Sequence, residues 1–435
     1  MAIQLPVGLI GAYERDNFGD LLFLERTRRY LASAGIDETT LAPFGSSREQ
    51  LTGSRVDAVS TMARRGSCGA LWTVGGEVGG VAAHSAYLML DGDARPPDFH
   101  DLPRRARRRI IRREFDGPLL DLAYVPRPSA FPASWPVPSI LNSVGVSGIA
   151  GLTAGVAANA RYALRDADYI SVREKTSSGF LESLRIPHVL APDLVHTMRR
   201  DHADLASRDA REVARASRKV LVQMSAATLS QQGVAALADA LCSSRHLEGA
   251  DVRLFVAGLA PHHDSLELYR EVVARIEARK PSFRVSLSPA HGALDKVVEI
   301  ATSELVIATS LHATILSMSF DVPHVGLLID KLSRYAATWG DPMPTAVSLR
   351  DLPVAIESAL GLEGEVVESG LADRLASSAD DSIRSAIEVV QSRDTDLAAA
   401  RTRRRARHSE AARREGRRPR NLAAAVTRSV VRPLS

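Results

Sequence analysis

Short apolar runs alternate with amphipathic stretches along the whole chain. In the first half the runs are "VGLIGAY" (7–13), "ALWTVGG" (70–76), "SILNSVGVSG" (139–148), "YISVRE" (169–174) and "HVLAPDLV" (188–195). Several end in Gly or polar residues, as strands do when their carboxyl ends open onto a binding crevice. The stretch between Met198 and Lys219 is charged and lacks strand character, and the rhythm then restarts with "KVLVQMS" (219–225), "DVRLFVAG" (251–258) and "RVSLSP" (284–289). The segment from Leu294 to Gly340 reads as helix, strand, tight turn, helix, strand and turn. Strands alternating with helical patterns predict an α/β fold with parallel sheets. The expected organisation is two doubly wound Rossmann-like domains, 1–200 and 218–375, facing a cleft, then a C-terminal helix over 376–400 and a tail over 401–435.

Composition supports two domains. At 435 residues with 45% hydrophobic content the chain exceeds what one core usually needs. Cys68 and Cys242 are too few for a disulfide framework and too far apart for a zinc or redox pair, so both read as core thiols in a reducing compartment. The N-terminus has no basic leader and no run approaches the roughly 20 apolar residues of a membrane span, so the expected location is cytoplasmic.

Charge is distributed unevenly. Residues 401–435 hold twelve Arg and two Glu, a balance of +10 against a whole-chain net of +4, which leaves −6 for residues 1–400. The tail is poor in large apolar residues and is expected to be disordered or only transiently helical; it is either a solvated extension or a segment drawn weakly to anionic lipid headgroups, nucleic acid or an acidic polymer, of which membrane contact is the expected one and nucleic acid is not. A second cluster, "RRARRRIIRR" at 104–113, flanked by Asp98, Asp101, Glu114 and Asp116, reads as a surface helix.

Three stretches carry chemistry. "GAYERDNFGD" is a strand-to-helix turn in which Gly11 and Gly19 permit close backbone approach. Either the N–H groups beyond Asp20 hold an anion or a sugar hydroxyl, or Asp20 simply caps the helix. The spacing of Gly11 and Gly19 is too wide for a dinucleotide fingerprint. "WTVGGEVGG" places Gly75, Gly76, Gly79 and Gly80 directly after a strand, where backbone amides can line a crevice. In "TSLHATILSMSFDVPHVGLL", His312 follows a strand at the entrance to a helix, where it can exchange protons near neutral pH; the other reading is a structural histidine. Lys331 and Arg334 are candidate anion clamps.

In this order, the segments "GAYERDNFGDLLFLERTRRYL", "WTVGGEVGG", "YISVREKTSSGFLESLRIPHVLAPDLV" and "LVIATSLHATILSMSFDVPHVGLLIDKLSRYA" resemble the polysaccharide pyruvyl transferase family over most of residues 7–340. The resemblance implies a GT-B-like fold and transfer of a pyruvyl group from phosphoenolpyruvate to two hydroxyls of a sugar in a cell-surface polysaccharide or its lipid-linked precursor. Asn17, Gly19 and Asp20 match the family's N-terminal turn, Gly75 and Gly76 its Gly-rich loop, and Arg173 the Arg of its "VRE/VRD" element. Asp193 matches the Asp after the next strand, His312 the central His and Lys331 the following Lys. The implied roles are His312 as acid, Arg173 and Lys331 as anion clamps, and Asp20 or Asp193 as base or sugar-positioning group, with no metal. The chain departs from the pattern at Ser310, where many members have Arg, and at Glu77, where a third Gly often sits. Ser310 takes away a cation that would face the donor's phosphate or carboxylate. A nucleotide-sugar glycosyltransferase and a non-catalytic glycan- or membrane-binding member are the alternatives. Asn17, Gly75, Arg173 and His312 are expected to share one rim.

Overall fold

The computed structural model describes residues 5–13, 15–45, 49–90, 96, 98–115, 121–260, 263–392, 399, 402–403 and 405–409. Its contacts divide the chain into two compact units. The first comprises Met1–Glu14, Thr27–Ala191 and Ser382–Ser435; the second comprises Arg15–Arg26 and Pro192–Asp381.

The first unit is built on β1 (Val7–Ile10), β2 (Glu38–Ala42), β3 (Val56–Ala58), β4 (Ala70–Thr73), β5 (Gly76–Glu77), β6 (Ser139–Gly145), β7 (Tyr169–Val172) and β8 (Val189–Leu190). The strands pair in parallel in the order β3-β2-β1-β4-β6-β7-β8, with β5 against β6. All four residues of β1 and β4 are buried, which is why these strands read as continuous apolar runs. Strand β2, "ETTLA", carries no such signal. Arg28 holds two of its polar side chains, donating to Glu38 Oε1 at 2.8 Å and Thr40 Oγ1 at 2.6 Å, so a strand too polar to recognise is fastened in place.

The second unit carries β9 (Lys219–Gln223), β10 (Asp251–Leu254), β11 (Arg284–Leu287), β12 (Leu305–Ala308) and β13 (His324–Gly326), all parallel, in the order β11-β10-β9-β12-β13. Val220, Val222, Leu254, Leu305 and Ile307 form its core with Leu237, Leu241 and Ile356 from covering helices. Both halves therefore have the expected parallel α/β construction.

The helices used below are α1 (Phe18–Ser33), α2 (Arg104–Phe115), α3 (Ala154–Asp166), α4 (Lys175–Ser183), α5 (Ala293–Ala301), α6 (Leu311–Ser319), α7 (Asp330–Trp339) and α8 (Leu371–Gln391). Among the described residues no helix is long and apolar enough to cross a membrane. Cys68 and Cys242 are free thiols; burial pushes Cys68 up to about 11, helped by the charge of Asp57.

Unit boundaries differ from the sequence expectation at three places. Residues Arg15–Arg26 belong with the second unit although they follow the first strand of the first. The charged stretch after Met198 is no free connector, because Arg199 is paired with Asp321 at 2.9 Å and Arg215 with Glu363 at 2.7 Å. Helix α8 is divided, its residues from Ser382 onward grouping with the first unit; there Tyr169 donates its hydroxyl to the Ser382 carbonyl at 2.9 Å.

The start of the tail is also structured. Residues 405–409 are helical, and His408 is buried, stacked on Tyr162 at 3.8 Å between centroids and bonded to Asp166 at 2.6 Å. Arg407 adds bonds of 2.6 Å each to the Ala167 carbonyl and to Asp168. The expectation of a disordered or only transiently helical segment thus fails for this turn, because His408 finds the buried Asp166 at the end of α3 and Arg407 the exposed Asp168 just beyond it. Residues 410–435 lie outside the described residues.

Candidate functional site

The N-terminal turn is fastened to the loop after β10. The Phe18 N–H donates to the Ala257 carbonyl at 3.1 Å, the Ala260 N–H to the Asp16 carbonyl at 3.2 Å, and the Leu259 N–H to Asp16 Oδ2 at 3.0 Å. A Cβ on Gly258 would lie 2.4 Å from the Asp16 carbonyl oxygen, so this backbone approach requires glycine. The helix-capping alternative for Asp20 is corrected here. Asn17 Oδ1 accepts from the Gly19 N–H at 3.3 Å, while Asp20, inside the first turn, accepts from Asn17 Nδ2 at 2.7 Å. The cap is Asn17, and Asp20 presents a half-exposed carboxylate held by it.

His312 closes onto this turn. It is the second residue of α6, which begins directly after β12 because Gln223 on β9 organises the junction: Gln223 Oε1 accepts from the backbone N–H of Thr309 at 3.1 Å and of Ser310 at 2.8 Å. Ser310 is the N-cap, its side chain accepting from the Ala313 N–H at 3.4 Å. The His312 ring meets Phe23 edge-on at 5.2 Å and Phe18 at 6.2 Å. A Cβ on Gly19 would sit 1.9 Å from His312 Nδ1, so the imidazole lies on the glycine itself.

Sequence reading missed the charged groups beneath this contact. Gln223 Nε2 donates to Asp264 Oδ1 at 2.7 Å and the Ala257 N–H to Asp264 Oδ2 at 2.6 Å, yet burial still pushes this carboxyl up to about 6. Lys296 on α5 is 3% exposed with its ammonium 5.8 Å from the centre of the Phe18 ring. Burial draws its pKa down against the charges of Asp16, Asp264, Asp295 and Glu299. His263 is drawn down by burial and then by Arg15, with Asp20 opposing and Lys331 reinforcing. The field at His263 therefore includes both Asp20 and Lys331, two groups singled out in the sequence. Lys331 is exposed on the first turn of α7.

Asp193 stands in different surroundings. It is fully buried and its Oδ1 accepts from the Val195 N–H at 3.0 Å, capping a short helical turn. Its own N–H donates to the Tyr335 hydroxyl oxygen at 3.0 Å. That hydroxyl lies 2.9 Å from His196 Nε2, and His196 Nδ1 lies 2.8 Å from Ser319 Oγ. Burial pulls His196 down to about 3, so it is a neutral core histidine tying α6, α7 and the Asp193 turn together.

In the first unit, Gly75 and Gly76 follow β4, and Gly76 has φ +95°, which favours glycine. The loop is occupied largely by its own neighbours. The Val78 and Gly79 N–H groups both donate to the Gly145 carbonyl at 3.0 Å, and a Cβ on Gly79 would lie 2.5 Å from Val146 Cα. Arg173 is buried at the end of β7. Beside it Glu174 caps α4, accepting from the Thr176 and Ser177 N–H groups at 2.7 and 2.8 Å.

Two Rossmann-like α/β units, each with a parallel sheet, place the molecule in the GT-B-like fold class. The family model for polysaccharide pyruvyl transferase matches residues 17–331, and the chain belongs to that family of transferases. Among solved structures, UDP-GlcNAc 2-epimerase from Neisseria meningitidis, bound to UDP-GlcNAc, is similar with a TM-score of 0.50 and 10% identity, covering 88% of this chain and 99% of that one. A mutant of the O-GlcNAc transferase from Thermobaculum terrenum has a TM-score of 0.33 and 14% identity, covering 97% of this chain and 69% of that one. No curated protein matches the chain.

Proposed function

We propose that the protein moves the pyruvyl group of phosphoenolpyruvate onto two hydroxyls of a sugar in a cell-surface polysaccharide or its precursor, acting in the cytoplasm. Family membership supplies the reaction class. The observation that carries the assignment is His312, at the N-terminus of α6, lying on Gly19 beside the Asn17–Asp20 pair. In the proposed reaction His312 gives a proton to the methylene carbon of the enol, and the double-bond electrons form the new C–H bond. The adjacent carbon, now electron-poor, takes a sugar hydroxyl oxygen, loses phosphate, and takes the second hydroxyl to close the ketal. Of the two hydroxyl protons, one replaces the proton spent on carbon and one leaves on phosphate.

Asp20, half-exposed and held by Asn17, suits the base for a hydroxyl. Asp193, fully buried, suits positioning. Lys331 and, from the family pattern, Arg173 are proposed as cations for the donor, with Gly75, Gly76 and Gly19 as sites of close backbone approach. Ser310 is proposed to offer its hydroxyl where many members carry Arg. The scheme uses no metal or further cofactor.

A second reading, transfer from a nucleotide sugar, draws support from Ser310, since a helix N-terminus without that Arg can also receive a diphosphate. Ligands that bind the native state raise its melting temperature. Phosphoenolpyruvate should stabilise the protein and release inorganic phosphate in the presence of acceptor. Stabilisation by UDP- or GDP-sugars alone would favour the second reading, and stabilisation by neither a non-catalytic binder.

A further inference from the structure

Helix α2, "RRARRRIIRREF", has a surface that its own stability does not explain. Ile111 and Phe115 are buried, and the Phe115 ring lies 5.7 Å from Phe44. Arg104, Arg105, Arg108, Arg109, Arg112 and Arg113 are all exposed. At 100° per residue they form two rows of i, i+4 neighbours covering about half the helix circumference. Among the described residues this array makes one ion pair, Arg113 with Glu114 at 2.9 Å. No acidic residue occupies the first turn, so Arg104 and Arg105 sit at the positive end of the helix dipole. Every i, i+4 pair within the rows is a like-charge pair, which weakens a helix. The field reaches His84, whose imidazole is pushed down first by burial and then by Arg107 and Arg104.

We propose that this face of α2 is a docking surface for a bilayer rich in anionic phospholipid. Guanidinium groups pair with phosphate in bidentate geometry, and long side chains from both rows can reach one plane of headgroups. The exposed face offers donors only: it has no aromatic ring on which a base or sugar could stack, which argues against a nucleic acid or a glycan strand. The apolar side of the helix is committed to the protein core, so attachment is electrostatic, without insertion into the acyl region.

The test is sedimentation of the full chain with phosphatidylcholine vesicles that contain or lack phosphatidylglycerol, at low and high salt. Wild type should bind only the anionic vesicles and release in salt. Replacing Arg104, Arg108 and Arg112 together by Gln should weaken binding about five-fold per residue, on the order of a hundred-fold in all, while the same three positions as Lys should keep it. The single exposed change Arg108→Glu, which reverses one charge, should cost about twenty-five-fold. A control triple, Arg417, Arg418 and Arg420 to Gln in the segment outside the described residues, should bind within a few-fold of wild type. Unaltered binding by the Gln triple and by Arg108→Glu would overturn the proposal. So would equal binding to neutral vesicles, or tighter binding to duplex DNA at matched phosphate concentration.

Discussion

Gly19 and His312 are in direct contact: a methyl group on the first would overlap Nδ1 of the second, at 1.9 Å. Gly19→Ala must therefore push the imidazole off its position without touching its chemistry. Turnover is expected to fall about 100-fold from misplacement, and His312→Ala to fall about 10² to 10⁴-fold as a lost general acid. The double variant should be no slower than His312→Ala, because both changes remove one function. Steady-state rates of the three variants with phosphoenolpyruvate and acceptor check this; a Gly19→Ala enzyme at the wild-type rate would separate the turn from the histidine.

Ser310→Arg should trade stability for donor affinity. It removes the hydroxyl that caps α6, costing about 1 kcal/mol, and the melting temperature should fall by roughly 2–4 °C. If the donor is phosphoenolpyruvate, the new cation should tighten its binding. Calorimetric titration and a thermal melt on the same sample separate the two effects, and loss of stability with no gain in affinity would count against the proposed donor.

The buried pair His324–Asp341, at 2.9 Å, sets a pH window for the second unit. Burial opposes the charged form of both groups, but each gives the other a counter-charge and a hydrogen bond, so His324 titrates above its ordinary value and Asp341 below. The histidine's contribution is complete below the ordinary imidazole value and disappears as pH rises through the raised value. The aspartate's is complete above the ordinary carboxylate value and disappears as pH falls through the lowered one. Asp341→Asn should cost about 1–3 kcal/mol near neutrality, the remaining imidazole shedding its proton rather than staying charged, and should flatten the profile on both sides. Urea midpoints across the pH range measure it; parallel profiles for variant and wild type would refute it.

Truncation should show two different tails. Removing residues 410–435 is expected to leave the melting temperature unchanged. Removing 401–435 uncovers the Tyr162 ring and takes the His408 partner from Asp166, which also accepts from the N–H and hydroxyl of Ser129. A loss of about 1–3 kcal/mol follows from the buried His408–Asp166 hydrogen bond that is given up at Oδ1, and His408→Ala should reproduce most of it. Identical melts for both truncations would show that the His408 turn carries no stability.

What the sequence determined by itself was everything written in local period and order: two runs of parallel strands with helices between them, a glycine-bearing turn after the first strand, and a histidine at the mouth of the helix after β12. Strands buried on both faces must be apolar throughout, and that signal survives without any neighbour. Tertiary structure decided the rest. The turn at Arg15–Arg26 belongs to the second unit because Gly258 lets its backbone reach Asp16 and because His312 rests on Gly19, two contacts that no local pattern encodes. Strand β2 was invisible because its Glu38 and Thr40 side chains are held by Arg28 on a helix, and the His408 turn looked disordered because its partner Asp166 lies far away in the chain. In each case a polar or flexible residue takes a fixed place only when a distant group satisfies its hydrogen bonds or fills its space, and periodicity carries no record of that partner.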